Sequence, residues 1–328
     1  MYINFFSFSQ LITGSIYLLG QKIDEVVRSK TAKHAPYPTV CVGNFQAGGT
    51  GKTPATLWVA KQLKGLGYSP VIIIRGYRGS VSKSTIVDRQ DAYAYGDETV
   101  LHAQHFPTIV GKNRLESTHL AHTIPGDKKV LIMDDGLQHY QLLKDFSIVC
   151  QKNLRFEADA MLPIGRLRQI PHTNVHAILS QINEAGYQKV ESWKGIPEYT
   201  FARETVLRSG SNEPGLVVCG VANPDDCLYR IQKAGEFIGD EMKFRDHHRY
   251  SAADLARIEK ASEKYEYHVH CTAKDAVKLA PLVETENSPL RLSVWDVEIQ
   301  PVGNVQPLLD AMVAKIEEVY KNRSQKQA

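Results

Sequence analysis

The sequence lacks the features that identify several classes of protein. Its five cysteines are scattered and no two form a C-x-x-C pair, which argues against a disulfide or zinc framework and for a reducing compartment. Neither sign of charge is in excess, since 39 basic residues are balanced by 36 acidic ones. The resulting net charge of +3 is too small to indicate a nucleic-acid-binding protein.

Charged side chains are also missing from the first 21 residues, and the first one is Lys22. Apolar residues recur there at steps of three and four, which predicts a helix with one apolar face. The residues of that face are Phe5, Phe8, Ile12, Ile16, Leu19, Ile23 and Val26. Polar residues are too frequent for a spanning helix, and the segment lacks the basic start and cleavage site of a secretory signal. The helix therefore either packs on the protein's own core or, as we favour, lies in a bilayer surface with Arg28, Lys30 and Lys33 near anionic head groups.

The strongest motif is VCVGNFQAGGTGKT at residues 40–53, a short apolar strand that runs into a glycine-rich turn. A helix predicted from Ala55 to Gln62 would direct its free first-turn amides at this loop, where they and the helix dipole attract a phosphate. In such a loop Lys52 reaches the outer phosphates and the Thr53 hydroxyl ligates Mg²⁺. The residues expected to hold the nucleotide are Gln46, which replaces the first glycine of the general pattern, Ala47, Gly48, Gly49, Thr50, Gly51, Lys52 and Thr53.

A second apolar strand, KVLIMDD from Lys129 to Asp135, ends in two adjacent acids. An aspartate at this position commonly holds the Mg²⁺ of a phosphate-loop site, directly or through water. Two neighbouring carboxylates without a cation would repel each other. The pattern therefore predicts a metal-linked role for Asp134 or Asp135, without deciding between them.

Arginines emerge at the ends of other predicted elements. Arg75 and Arg78 follow the apolar strand Pro70–Ile74, at the edge where open α/β sheets bind ligands, and they are either solvated or bound to phosphate. The loop of residues 162–169 contains Arg168, and it is either a lid over a phosphate-rich site or an ordinary basic surface loop.

Two further segments carry acidic or histidine side chains. Asp97 precedes a helical stretch and is either its N-cap or a functional carboxylate. Asp246, His247 and His248 are adjacent, but neighbours in sequence rarely point at one metal ion. If this segment faces the nucleotide site, an aspartate–histidine pair would serve as a general base near neutral pH.

Strands alternate with helices along both halves of the chain, which predicts parallel α/β sheets. A length of 328 residues exceeds the usual size of a single core, so two domains are expected. We predict an α/β fold with a P-loop NTPase-like N-terminal domain on a parallel sheet and a smaller α/β C-terminal domain. The expected divisions are 1–35 for the N-terminal helix, 36–200 for the P-loop domain and 201–328 for the C-terminal domain.

Taken in order, these motifs resemble those of the tetraacyldisaccharide 4′-kinase (lipid A 4′-kinase) family. The matching segments are VGNFQAGGTGKTP (residues 42–54), RGYRG (75–79), GDE (96–98), DDGLQH (134–139), LPIGRLR (162–168), CGVANP (219–224), DHH (246–248) and TAKDAVKL (272–279). They span nearly the whole chain, and the joint set is specific to the family.

The resemblance implies an ATP-dependent kinase that transfers the γ-phosphate of ATP to the 4′-hydroxyl of a tetraacylated glucosamine disaccharide 1-phosphate, giving lipid IVA. It implies a requirement for Mg²⁺ and a place at the cytoplasmic face of the inner membrane, where the N-terminal helix would dock on the bilayer. Asp97 and His247 would act as a pair near the acceptor hydroxyl, and Arg114 and Arg168 would lie near the active site. No nucleic acid or protein partner is expected.

One departure and three alternatives accompany this interpretation. The family has Leu-Arg-Glu where this chain has Leu167-Arg168-Gln169, so one carboxylate that would help to hold Mg²⁺ is missing. A P-loop GTPase or metallochaperone-type switch would need a guanine-specific N-K-x-D motif, which the sequence lacks. A kinase of a soluble small molecule would leave the N-terminal helix unexplained, and a structural membrane protein would leave the phosphate loop without purpose.

Overall fold

The computed structural model describes residues 5–151, 160–172, 174–181, 194–237 and 239–327, with side chains between residues 13 and 325 of those ranges. The helix expected from Asn183 to Trp193 lies outside the described residues. The strands are β1 (Thr39–Gly43), β2 (Ser69–Ile74), β3 (Thr85–Ile86), β4 (Thr108–Val110), β5 (Lys129–Asp134), β6 (Phe146–Gln151), β7 (Ala177–Gln181), β8 (Glu198–Ser209), β9 (Leu216–Cys219), β10 (Glu241–Lys243), β11 (His268–Thr272) and β12 (Arg291–Val302). The α-helices are α1 (Phe5–Ser29), α2 (Lys52–Gly65), α3 (Ala92–Tyr95), α4 (Asp97–Ala103), α5 (Arg114–Leu120), α6 (Pro224–Gly235), α7 (Ala252–Ser262), α8 (Ala273–Thr285) and α9 (Gln306–Gln327).

The described strands form one sheet in the order β10-β9-β11-β12-β8-β7-β6-β1-β5-β2-β4-β3. β1 lies between β5 and β6, parallel to both. Its five residues are all buried, as are those of β5 and β6, because helices cover both faces of a parallel sheet. The predicted α/β class with a mostly parallel sheet is confirmed.

The two halves of the chain share this sheet, so the expectation of separate sheets is wrong. The connection is made by β8 and β12, two 12-residue antiparallel strands. The sequence pattern alone predicts only a short strand at Tyr199–Ala202, because β8 is half-buried along most of its length and lacks a continuous apolar run. Its other edge pairs in parallel with β7, and β12 pairs in parallel with β11.

Two hydrophobic layers sandwich the N-terminal part of the sheet. On one face, α2 and α9 cover the strands through side chains that include Val59, Leu63, Met312 and Ile316. The opposite face buries Ile73, Met133 and their neighbours. Four of the cysteines are buried: Cys41, Cys150, Cys219 and Cys271.

Helix α1 presents much of its predicted apolar face to solvent. Ile16 and Leu19 are 64% and 63% exposed, and Ile23 and Val26 are about as exposed. The alternative prediction, that this face packs on the protein's own core, is therefore wrong for these four residues. The opposite side of the helix contacts the protein, with Gln21 donating a hydrogen bond to the Tyr140 hydroxyl at 2.6 Å. Within the described residues, no helix combines the length and apolar character that crossing a membrane requires.

Candidate active site

The predicted site residues of the N-terminal half collect at the carboxyl edge of its parallel strands. β1 leads into the glycine-rich loop, β5 ends at Asp134, β2 is followed by Arg75, and β4 is followed by Arg114. Val42 is paired with Asp134 across β1 and β5, which places the start of the loop beside the acidic pair. Ligands bind at this edge in open α/β sheets.

The glycine-rich loop adopts backbone angles that glycine favours. Gly48 has φ +104° and Gly51 has φ +78°; Gly51 is the N-cap of α2, without a side-chain cap. Helix α2 begins at Lys52, three residues before the predicted start, so the lysine and Thr53 occupy its first turn. The free first-turn amides and the helix dipole make this end an anion site.

Two amide side chains that the sequence analysis did not single out fix the loop. Asn44 Nδ2 donates to Thr50 Oγ1 at 2.7 Å, and Gln181 Nε2, at the end of β7, donates to the Thr50 carbonyl at 2.8 Å. Both follow or end apolar strands at the carboxyl edge, and a polar residue at that position is the signal that would have identified them.

We expect Gly51→Ala to lower the free energy of unfolding by about 1–3 kcal/mol, a cost typical of a non-glycine residue held in an unfavourable conformation. A Cβ there would overlap the amide nitrogen of Gln181, in addition to the strain of the positive φ. Gly65→Ala is the matched control, because no atom lies within 4 Å of its Cβ position and alanine is favoured in a helix. Urea unfolding of the two variants should give shifts of opposite sign; equal shifts would contradict the assignment.

The two acids at the end of β5 have different surroundings. Asp134 is buried, and its Oδ2 is 2.7 Å from His102 Nε2, while its Oδ1 has no hydrogen-bond partner within the described residues. Asp135, at φ +51°, receives both terminal nitrogens of Arg168, at 3.0 and 2.6 Å. Lys52 Nζ lies 3.9 Å from Asp135 Oδ1. Burial alone would raise the pKa of Asp135, but the Arg168 hydrogen bonds and nearby positive charges lower it well below its usual range.

The basic loop of residues 162–169 lies against the start of the phosphate loop. Gln46 and Leu167 form an antiparallel bridge, and the Arg168 amide donates to the Phe45 carbonyl at 2.7 Å. The Arg168 guanidinium also donates to the Asn44 side chain. An ordinary solvated surface loop does not fit these contacts. Gln169 is buried and accepts a hydrogen bond from Gln138 at 2.7 Å.

The remaining predicted arginines differ in what they contact. Arg114 is buried and donates to the carbonyls of Asp135 and Asp134 at 2.8 and 3.0 Å. Arg78 donates to the Asp246 carbonyl at 3.0 Å. Arg75 is exposed.

Asp97 and His247 meet although they are 150 positions apart. Asp97 Oδ2 is 2.7 Å from His247 Nδ1, and Asp97 Oδ1 accepts the Glu98 amide at 2.8 Å. The side chains are 7% and 15% exposed. The N-cap of α4 is Gly96, so the N-cap interpretation of Asp97 is wrong: Gly96 has φ +88°, and the Asp97 carboxylate faces the other half of the chain.

Each member of the Asp97–His247 pair shifts the pKa of the other. Burial alone would raise the pKa of Asp97, but the His247 hydrogen bond and the charges of His247, Lys274 and Lys278 lower it. The hydrogen bond to Asp97 raises the pKa of His247, against the opposing effect of burial. His248 points elsewhere, with Nε2 3.0 Å from Asp254 Oδ2.

The capacity of the site for a metal ion rests on Asp134. In the described part of the chain, no three histidine, cysteine, aspartate or glutamate side chains converge as a ready-made metal cluster. The unpartnered Asp134 Oδ1 is a hard oxygen donor at the end of β5, next to the strand that leads into the phosphate loop, which fits Mg²⁺ or one of its waters. Both oxygens of Asp135 are already engaged by Arg168.

Comparisons with known proteins agree with this architecture. A family model described as tetraacyldisaccharide-1-P 4′-kinase matches residues 7–317. The tetraacyldisaccharide 4′-kinase of Methylorubrum extorquens is 32% identical over 272 residues, covering 79% of this chain and 82% of that protein. The enzyme of that name from Halorhodospira halophila is 30% identical over 291 residues, covering 86% and 84%. The crystal structure of LpxK from Aquifex aeolicus in complex with ATP superposes with a TM-score of 0.75 at 22% identity, covering 94% of this chain and 98% of that one, and shows the shared fold.

Proposed function

This chain belongs to the tetraacyldisaccharide-1-P 4′-kinase family, and we propose that it transfers the γ-phosphate of ATP to the 4′-hydroxyl of a tetraacylated glucosamine disaccharide 1-phosphate, forming lipid IVA in lipid A biosynthesis. The observation that carries the proposal is the Asp97–His247 pair, 2.7 Å apart. A phosphate loop alone serves many nucleotide hydrolases, whereas an acceptor hydroxyl needs a base such as this pair.

The nucleotide end of the reaction uses the loop and the start of α2. The backbone amides of residues 48–53 bind the β-phosphate, and Lys52 neutralises the charge that develops at the β–γ bridge. ATP draws the Lys52 ammonium away from Asp135, which Arg168 continues to hold.

Asp134, through its unpartnered Oδ1, and the Thr53 hydroxyl would hold Mg²⁺. When bound, the ion neutralises phosphate charge and helps to orient the γ-phosphate. Asp135 acts differently from Asp134, because its ion pair with Arg168 fixes the loop of residues 162–169 against the phosphate loop. The glutamate expected by analogy at position 169 is replaced by Gln169, whose described bond is to Gln138.

The acceptor end uses the imidazole of His247. Asp97 holds Nδ1, which fixes the ring orientation and leaves Nε2 to accept the proton of the 4′-hydroxyl as the phosphoryl group is transferred. Arg78 holds the backbone that carries this histidine, and Arg114 likewise holds the turn at Asp134 and Asp135. Arg75, which is exposed, contacts a phosphate group of the substrates.

The acceptor base comes from the C-terminal segment and the phosphate loop from the N-terminal one. This division suits a domain boundary near residue 200, within the shared sheet, and closure of the two parts on ATP and lipid. We retain the divisions 1–35, 36–200 and 201–328 as a proposal on that ground.

The function is tested by supplying purified protein with γ-labelled ATP, Mg²⁺ and the lipid disaccharide 1-phosphate in mixed micelles. Label is expected in the lipid, and none when the lipid already carries a 4′-phosphate. Parallel reactions contain nucleosides or no acceptor. Label that reaches water or nucleosides but never the lipid would favour a hydrolase or a soluble-substrate kinase instead.

The acylated substrate lies in a bilayer, and α1 is suited to bring the enzyme there. Its exposed Ile16, Leu19 and Ile23 provide an apolar strip, and basic residues follow near its end. We propose peripheral docking of this strip at the cytoplasmic face of the inner membrane.

We expect Leu19→Asp combined with Ile23→Asp to reduce binding to anionic vesicles severalfold, because transfer of a charged side chain into the acyl region costs free energy. The control is Leu66→Asp, an apolar residue 49% exposed after α2, at the opposite edge of the sheet. Co-sedimentation with vesicles measures both. Equal binding by wild type and the double variant would exclude this strip as the docking surface.

A further inference from the structure

A buried lysine of α8, Lys278, lies beside Asp97. Lys278, in α8, is 4% exposed, and its Nζ is 3.7 Å from Asp97 Oδ2 and 3.4 Å from Asp275 Oδ1. The ammonium also lies over the Tyr250 ring, 5.4 Å from its centroid. Within the described residues, Nζ has no hydrogen-bond partner.

The neighbouring Asp275 is hydrogen-bonded through both carboxylate oxygens, independently of Lys278. Its carboxylate accepts hydrogen bonds from the Gly220 amide at 3.0 Å, the Tyr250 hydroxyl at 2.9 Å and the Thr272 hydroxyl at 2.7 Å. Burial of an ammonium is unfavourable unless opposite charge compensates it. Lys278 is therefore shared between two carboxylates, and Asp97 is the one that also contacts His247.

We infer that Lys278 is a positioning residue for the phosphoryl transfer, which keeps Asp97 ionised and sets the pH at which His247 is free to accept a proton. The inference rests on the proposed roles of Asp97 and His247. It gives a function to the TAKDAVKL segment, whose Lys274 forms a separate ion pair with Glu98.

The direction of the effect follows from the charges that face one another. Asp97 in α4, Asp275 in α8, Tyr250 before α7 and Cys271 in β11 are the titratable groups near Lys278. Asp97 also faces His247 and Lys274, and His247 itself faces Lys274 and Asp246, whose Oδ2 is 3.7 Å from Nε2. When His247 takes up a proton, its positive charge is repelled by that of Lys278. The lysine therefore disfavours protonation of His247. Without Lys278 the pair holds its proton up to a higher pH.

Lys278→Met is expected to move the acid limb of the kcat–pH profile upward by about one pH unit, the lower end of the range for a close charge. Lys278→Arg restores the charge and should return the limb towards that of wild type. Lys260→Met removes an exposed lysine of α7 and should leave the limb in place. A purely structural role would instead lower kcat at every pH without moving the limb.

A second measurement is independent of turnover. The imidazole of His247 is titrated by NMR in histidine-labelled protein without substrates, with His247→Gln used to assign its signal. The titration midpoint should rise by a similar amount in Lys278→Met, or in Lys278→Gln if the methionine variant does not fold. An unchanged midpoint overturns the inference even if wild type phosphorylates the lipid. If the wild type has no lipid kinase activity but the midpoint still rises in Lys278→Met, only the proposed reaction is overturned.

Discussion

Lys52→Ala is expected to lower turnover by about 10³-fold or more, the range seen when a cation that stabilises phosphoryl transfer is removed. The lysine occupies the first turn of α2, directly after Gly51. No other described lysine lies in the glycine-rich turn, so its loss leaves the charge at the β–γ bridge to the backbone amides and to the proposed Mg²⁺. The measurement is kcat with γ-labelled ATP and the lipid disaccharide at saturating concentrations of both.

The fold should survive this substitution. Lys52 is partly exposed, and its described partner Asp135 keeps the bidentate ion pair with Arg168. The melting temperature of Lys52→Ala should therefore stay within a few degrees of wild type. Lys61→Ala removes an exposed lysine from the same helix and should retain turnover within about twofold, as expected of surface changes remote from a site. Near-normal kcat in Lys52→Ala would remove this residue from the chemistry.

The phosphate loop and the acidic strand end were predictable because each is a local pattern with one physical meaning. Residues 40–53 combine a buried strand, glycines at positive φ and a helix start, and the structure forms all three. Asp134 and Asp135 follow from an apolar strand that can end only at the ligand-binding edge. The sequence did not show which of the two aspartates pairs with Arg168 and which contacts His102. These contacts come from segments 33 and 32 residues away.

Pairings across the chain were beyond local patterns. The contact between Asp97 and His247 was expected only from the family resemblance, and neither segment by itself excluded a helix cap or a solvated loop. The shared sheet was missed for a related reason, because β8 and β12 are half-buried strands whose partners cannot be identified from composition. Lys278 belongs to a segment recognised by its family pattern, but its burial against Asp97 depends on how α4 packs on α8.

His247→Ala is expected to lower turnover by about 10²–10⁴-fold, the usual contribution of a general base. Asp97→Ala should cost a comparable factor, because Nδ1 then loses the carboxylate that orients the ring. His248→Ala is the matched control: it is the adjacent histidine, but its Nε2 faces Asp254 in the cap of α7. It should lose some stability and retain kcat. Near-normal turnover in His247→Ala, or equal losses in both histidine variants, would contradict the assignment.

The pH profile of turnover distinguishes an electrostatic role of Asp97, acting on His247, from a purely steric one. Its hydrogen bond raises the pKa of His247 above the ordinary 6.5, and a base must be neutral to accept a proton. Activity should therefore be present above the raised pKa and fall as the pH decreases through it, which places the acid limb of wild type above 6.5. Asp97→Asn removes the negative charge, so its residual activity should have an acid limb at lower pH, the opposite direction from that expected for Lys278→Met. A limb that stays in place would show that proton uptake by His247 does not control the rate, and the 4′-hydroxyl would then lose its proton by another route.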